Sequence, residues 1–258
     1  TVSQSYPVQT LNWQGDGPLS GVVDLDCDHW QACAVQDDGT ATCWGYAQNG
    51  ALGGGDLSAS RQRVAKNGFG ALLTGIERVA VGENHGCALT TDEEIWCWGG
   101  GNHWGELGVL KVTEVGVAQK MGLDQVVDVE AGFANTCAVG KDGAAHCWGS
   151  NEHGALGQGT VGQRAQLSPV EVVGLADAVE IAAGYTHVCA RTPSEILCWG
   201  ENNVGQLGCG HYTHLGYPSE PVVNEAGETV VLDSLYSGFD VSGGLTADGQ
   251  LMLWGHDH

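Results

Sequence analysis

The sequence predicts an all-β fold, a β-propeller of five four-stranded blades. Three observations carry that reading. A hairpin-like stretch recurs five times, the recurrence interval is 50–55 residues, and the 258 residues include 42 glycines but only 6 prolines. An interval of that size matches one propeller blade, and glycines punctuating short apolar runs mark turns between strands rather than helices. Residues 1–258 read as one propeller domain, with repeats centred on 33–43, 87–97, 137–147, 189–198 and 243–253.

Each repeat unfolds in the same order. An apolar run ending in a polar loop comes first, as in VAVGENHGC before Cys87, VEAGFANTC before Cys137 and IAAGYTHVC before Cys189. This predicts the inner strand. The hairpin follows: CAVQDDGTATCWG from Cys33, CALTTDEEIWCWG from Cys87, CAVGKDGAAHCWG from Cys137, CARTPSEILCWG from Cys189 and GGLTADGQLMLWG from Gly243. In the first copy Ala34 is set opposite Thr42 and Val35 opposite Ala41, with Asp37-Asp38-Gly39 as a three-residue turn ending in a left-handed glycine. After Trp-Gly comes a polar loop closing on Leu-Gly, then a looser outer strand such as SPVEVVGL at 168–175. The segment from Tyr6 to Trp13, within 1–20, has this outer-strand character and is expected to complete the last blade, removing two open sheet edges.

The residues Gly82, His85, Ala88, Leu89, Trp98, Gly99, Gly105, Leu107 and Gly108, and again Gly184, His187, Ala190, Trp199, Gly200, Asn202, Gly205, Leu207 and Gly208, form a pattern that resembles the regulator of chromosome condensation repeat. That resemblance implies a propeller and does not fix a function. The cysteines suggest a secreted bacterial type. A weaker similarity, of repeat and loop position only, is to the propeller-type inhibitor proteins of β-lactamase, whose aromatic loops around one mouth of the ring grip a protein partner.

Eight of the ten cysteines fall in facing pairs. The hairpin register sets Cys33 opposite Cys43, Cys87 opposite Cys97 and Cys137 opposite Cys147, and a shorter turn at Pro193-Ser194 does the same for Cys189 and Cys198. Directly opposed Cβ atoms are within reach of a disulfide, so four bridges within blades are expected, and with them an extracellular, periplasmic or cell-surface location. Gly243 and Leu253 occupy the cysteine positions of the fifth copy. For Cys27 the sequence leaves core burial and pairing open, and Cys209 is expected on a loop where it could join two chains.

A formal charge of −22 excludes binding to a phosphate backbone and disfavours anionic membranes. No run of about eighteen apolar residues offers a membrane span. No phosphate loop, nucleophile elbow or zinc-protease motif is present, and His85 and His187 read as isolated hydrogen-bonding groups, so no enzyme, cofactor or metal is expected. Asp24, Asp26 and Asp28 lie on one side of a strand, where calcium is conceivable but an acidic face is the simpler account. What stands out is two loop series that should share one face. Their candidate binding residues are His29, Trp30, Glu83, Phe133, Tyr185 and Phe239 in the first, and Tyr46, Trp104, His153 and Asn203 in the second. Aromatic rings beside small polar groups suit a protein-binding surface. The expected function is an extracellular, non-catalytic binding module with a protein partner, one of basic character given the charge. A structural subunit of an extracellular assembly and a carbohydrate-binding or polysaccharide-acting enzyme are the alternatives.

Overall fold

The computed structural model describes residues 9–12, 14–28, 30–46, 48–57, 61–64, 71–99, 102–110, 116–162 and 164–256. Blade one comprises β1 (Val22–Asp28), β2 (Gln31–Gln36), β3 (Ala41–Gly45) and β4 (Arg61–Arg63). Blade two has β5 (Ile76–Val81), β6 (His85–Thr90), β7 (Ile95–Gly99) and β8 (Gln119–Lys120), and blade three β9 (Val126–Ala131), β10 (Asn135–Gly140), β11 (Ala145–Gly149) and β12 (Gln166–Glu171). Blade four is β13 (Glu180–Ala183), β14 (His187–Arg191) and β15 (Ile196–Gly200), its fourth place taken by bridges from Leu215 and Pro221. Blade five is β16 (Ser234–Ser237), β17 (Val241–Leu245) and β18 (Leu251–Gly255). All strands pair antiparallel, and the inner strands abut in chain order around a common axis, β1 on β5, β5 on β9, β9 on β13 and β13 on β16. This is the five-bladed propeller that the repeats predict.

The hairpin registers agree with the sequence, including Ala34 opposite Thr42 and a left-handed Gly39 at the turn. All four disulfides form, between Cys33 and Cys43, Cys87 and Cys97, Cys137 and Cys147, and Cys189 and Cys198. They fit an oxidising environment rather than the cytosol. Among the described residues no helix is long and apolar enough to cross a membrane.

Packing between blades follows one rule. The strand positions holding the disulfide, together with Val35, Leu89, Val139 or Ile196, form one face of a blade; Val79, Val129, Ile181 or Leu235 and the Trp of Trp-Gly form the opposite face of the next. Trp98, Trp148 and Trp199 are fully buried in these seams. Each indole N–H donates to a carbonyl in the preceding blade's loop: Trp98 to Ala51 at 3.0 Å, Trp148 to Glu106 at 2.9 Å, Trp199 to Ala155 at 2.8 Å and Trp254 to Gln206 at 3.0 Å. The glycine of Leu-Gly lies against that indole. A Cβ on Gly53 or Gly208 would come within 2.8 Å of the next ring, so only glycine fits.

At the axis the lacing is polar. Asp24 and Asp26 accept the N–H groups of Val79 and Val81 at 2.8 and 2.6 Å, Asp128 that of Ile181 at 2.9 Å, and Glu180 that of Leu235 at 3.2 Å. Two of the three carboxylates of the Asp24-Asp26-Asp28 strand are therefore inter-blade acceptors, a role the sequence reading did not foresee. His85 Nε2 meets Thr136 Oγ1 at 2.8 Å and His187 Nε2 meets Ser242 Oγ at 2.7 Å, again one blade ahead. Since the Thr136 hydroxyl donates to Glu106 O, the His85 ring is the donor in its pair. Complete burial holds both imidazoles down to about 4, hence neutral at physiological pH.

One expectation falls partly outside the described residues, and one needs correction. Of the expected closing strand at 6–13, residues 6–8 and 13 lie outside the described residues, and the remainder stays with blade one. Leu11 bridges Pro18, Leu19 N donates to Thr10 O at 2.8 Å, and the Arg61 side chain donates to Asn12 O. A left-handed Gly15 turns the chain back on itself there. Cys27 is neither buried nor paired; its thiol is free and exposed. It occupies the face whose counterparts Val81 and Ala131 are covered by a preceding blade, and no described strand precedes β1.

Candidate binding face

The loop between inner strand and hairpin and the loop after Trp-Gly are tied at their roots. Tyr46 N donates to Trp30 O at 2.8 Å, Ser150 N to Ala134 O at 2.8 Å, Glu201 N to Thr186 O at 3.0 Å and His256 N to Asp240 O at 2.9 Å. The Trp-Gly glycines make this approach possible. Gly149 has φ 99°, and a Cβ there would lie 2.3 Å from Ala134 O. The disulfide sits two rungs below, since Asn135 pairs with Gly149, Thr136 with Trp148 and Cys137 with Cys147. Both loop series thus emerge together, and in blades one to four a disulfide fixes their root.

On that face Phe133, Tyr185 and Phe239 form an arch. The Phe133 and Tyr185 ring centroids are 4.1 Å apart with planes tilted by 36°, and those of Tyr185 and Phe239 are 4.3 Å apart, tilted by 37°. Each ring comes from the residue just after the inner-strand glycine of blades three, four and five, so the arch is the repeat made visible. It borders the mouth of the axial channel, which Asp26, Cys27, Asp28 and Glu130 also line. Burial pushes the Tyr185 phenol up, and the carboxylates of Glu83, Asp28, Asp240 and Glu152 add to the effect. In the channel, burial drives the Glu130 carboxyl well above its ordinary range, reinforced by Asp26 and Asp128. The mouth is an aromatic surface in a negative field.

A cavity of about 130 Å³ lies between blades three and four. Trp104, Phe133, His153 and Tyr185, four residues chosen from sequence, are brought together around it with Glu152 and Thr186. Trp30 and Tyr46 are exposed on blade one. Glu83 accepts a hydrogen bond from Asn84 Nδ2 at 3.0 Å, and Asn203 donates to Glu201. His153 Nδ1 lies 3.9 Å from the same Glu201 carboxylate. His29 falls outside the described residues. Glu201 went unnoticed in the sequence because it follows Trp-Gly in one blade only, where Ser150 stands in blade three.

Fold and loops together define a propeller of repeated blades in which the loop rings Phe133, Tyr185 and Phe239 pack in series. The chain belongs to the regulator of chromosome condensation (RCC1) repeat family, whose repeat matches residues 142–191 and, in a second form, 76–103 and 126–155. Among relatives, the ultraviolet-B receptor UVR8 of Arabidopsis thaliana is 29% identical over 74% of this chain and 43% of its own length. The human probable E3 ubiquitin-protein ligase HERC3 is 33% identical over 82% of this chain but 20% of its own. The chain thus spans less than half the length of either. Among solved structures, yeast RCC1 (Prp20) bound to Kap60 superposes with a TM-score of 0.75 at 18% identity, covering 91% of this chain and 56% of that one. Human WBSCR16 gives 0.71 at 21% identity, covering 94% and 59%.

Proposed function

We propose that the chain is an extracellular, non-catalytic protein-binding module whose channel mouth receives a basic segment of a partner protein. The observation that carries this reading is the Phe133–Tyr185–Phe239 arch set among Asp28, Glu83, Glu152 and Asp240. Aromatic faces attract a lysine or arginine cation, carboxylates nearby strengthen the attraction, and a formal charge of −22 steers basic partners toward the surface. Four disulfides support the extracellular setting. Yeast RCC1 (Prp20), solved with Kap60, is a propeller of similar fold engaged with a protein, which supports a binding role here.

The test is capture of partners from the native source on immobilised protein, with Phe133→Ala, Tyr185→Ala and Phe239→Ala variants compared. Each is expected to weaken capture at least about tenfold, since buried aromatic anchors dominate binding energy. Unchanged capture by all three removes the arch from the reading. A second reading, a subunit that self-assembles, is favoured by Leu25 on blade one and Leu251 and Leu253 on blade five, each at least 60% exposed. Sedimentation over a hundredfold concentration range separates the two: a monomer throughout favours the binder, a rising mass the subunit.

A further inference from the structure

We propose that Cys209, His211 and Glu220 form a binding site for a zinc-type divalent cation on the loop of blade four. Three different donors converge there. His211 Nε2 lies 3.4 Å from Cys209 Sγ and 3.1 Å from Glu220 Oε2, and all three donor atoms lie within 4.8 Å of one another. Tetrahedral zinc with bonds of about 2.0–2.3 Å spaces its ligand atoms about 3.3–3.6 Å apart, so two of the three edges already approximate that geometry. Thiolate, imidazole and carboxylate are the zinc donor set, and three protein ligands leave a fourth position for water.

Asn202 orders the 207–214 part of this loop. Asn202 Nδ2 donates to His211 O at 2.8 Å and Thr213 O at 3.0 Å, its Oδ1 accepts Leu207 N at 3.1 Å, and its N–H donates to His214 Nδ1 at 2.9 Å. The same Nδ2 lies 3.7 Å from Cys209 Sγ, its two hydrogens being given to those carbonyls. Cys209 is also free while eight of the ten cysteines are committed to disulfides. On loading, the Cys209 thiol proton leaves to solvent and the His211 ring proton moves to Nδ1. Thr213 N, which donates to Nδ1 at 3.1 Å, must then turn to water. The bound ion would cross-link 209–211 to 220 beside His214, whose ring lies 6.1 Å from that of His153 on the proposed binding face.

Cobalt(II) is the probe, titrated into the oxidised full chain carrying Cys27→Ser so that Cys209 is the remaining free thiol. The expected result is one equivalent bound, with a near-ultraviolet thiolate-to-cobalt charge-transfer band and tetrahedral visible bands, displaced by zinc. Cys209→Ser should abolish the charge-transfer band. Glu220→Gln, a mild change at an exposed position, should weaken binding at least about tenfold while the circular dichroism spectrum stays unchanged. Absence of stoichiometric binding, a charge-transfer band that survives Cys209→Ser, or isolation of chains joined by a Cys209 disulfide overturns the proposal.

Discussion

The face that blade three turns toward blade four and the same face of blade five use equivalent strand positions, yet their surroundings are opposite. In blade three these positions hold Cys137, Val139, Ala145 and Cys147, all essentially inaccessible beneath Trp199 and Ile181. In blade five they hold Gly243, Leu245, Leu251 and Leu253, and both Leu251 and Leu253 are 64% exposed. The disulfide therefore accompanies the seam rather than the blade: every bridge lies under the next blade's tryptophan, and the copy without a bridge has no described blade after it. A cross-strand bridge is compact and apolar, so it gives the following indole a flat, rigid floor.

Removing an indole from a seam should have the largest effect. Trp148→Ala is expected to lower unfolding free energy by about 3–5 kcal/mol, whereas Trp44→Ala, on the uncovered side of blade one, should do far less. Denaturant midpoints measure both, and equal losses would mean that the seams do not carry the stability.

The buried imidazoles come next. Folded His85 and His187 titrate at about 4 against an ordinary 6.5, so their contribution is complete above pH 6.5 and lost as pH falls toward 4. That loss amounts to about 3 kcal/mol per histidine. Asp26, Asp128 and Glu130, whose carboxyls burial pushes up, act in the opposite sense as pH falls. The histidine part is therefore read as the difference between the natural chain and His85→Gln/His187→Gln. Blade one already uses an amide at this position, with Gln31 Nε2 donating to Gly82 O at 2.7 Å. The double variant should match the natural chain at pH 7.5 and exceed it at pH 5; parallel pH profiles would refute the assignment.

The smallest effects test the comparison most directly. Replacing Cys137 and Cys147 together by alanine should cost about 2–3 kcal/mol, given a bridge spanning 10 residues. At the equivalent place in blade five, Leu253→Ser should stay within about 0.5 kcal/mol in thermal unfolding. A large loss at Leu253 would show that its face is covered in solution.

Hairpin register, blade count and all four bridges were legible in the sequence, because local turn chemistry sets which residues oppose and the repeats supply it five times over. The direction of the seams was not legible: nothing in Trp-Gly tells that its indole reaches backward to a carbonyl such as Glu106 O. Nor does the outer-strand pattern around 9–12 reveal that a left-handed Gly15 turns the chain locally. On the face, loop position was enough to place Phe133, Tyr185 and Phe239, because each follows the same glycine. Glu220 escaped because it lies nine residues beyond His211, in a stretch with no strand or repeat to index it.

Carboxylates on β1, β9 and β13 accept backbone N–H groups of the inner strand that comes after each in the chain. A blade is therefore not the unit that can be exchanged. Any segment cut from β-strand to Trp-Gly carries the second half of one joint and the first half of another. A graft cut at the loop carbonyls of Ala155 and Gln206 keeps Trp199 with its acceptor, but it leaves behind the Cys137–Cys147 floor of that indole and the Leu235 N–H that Glu180 accepts, so those two contacts must be supplied by the host.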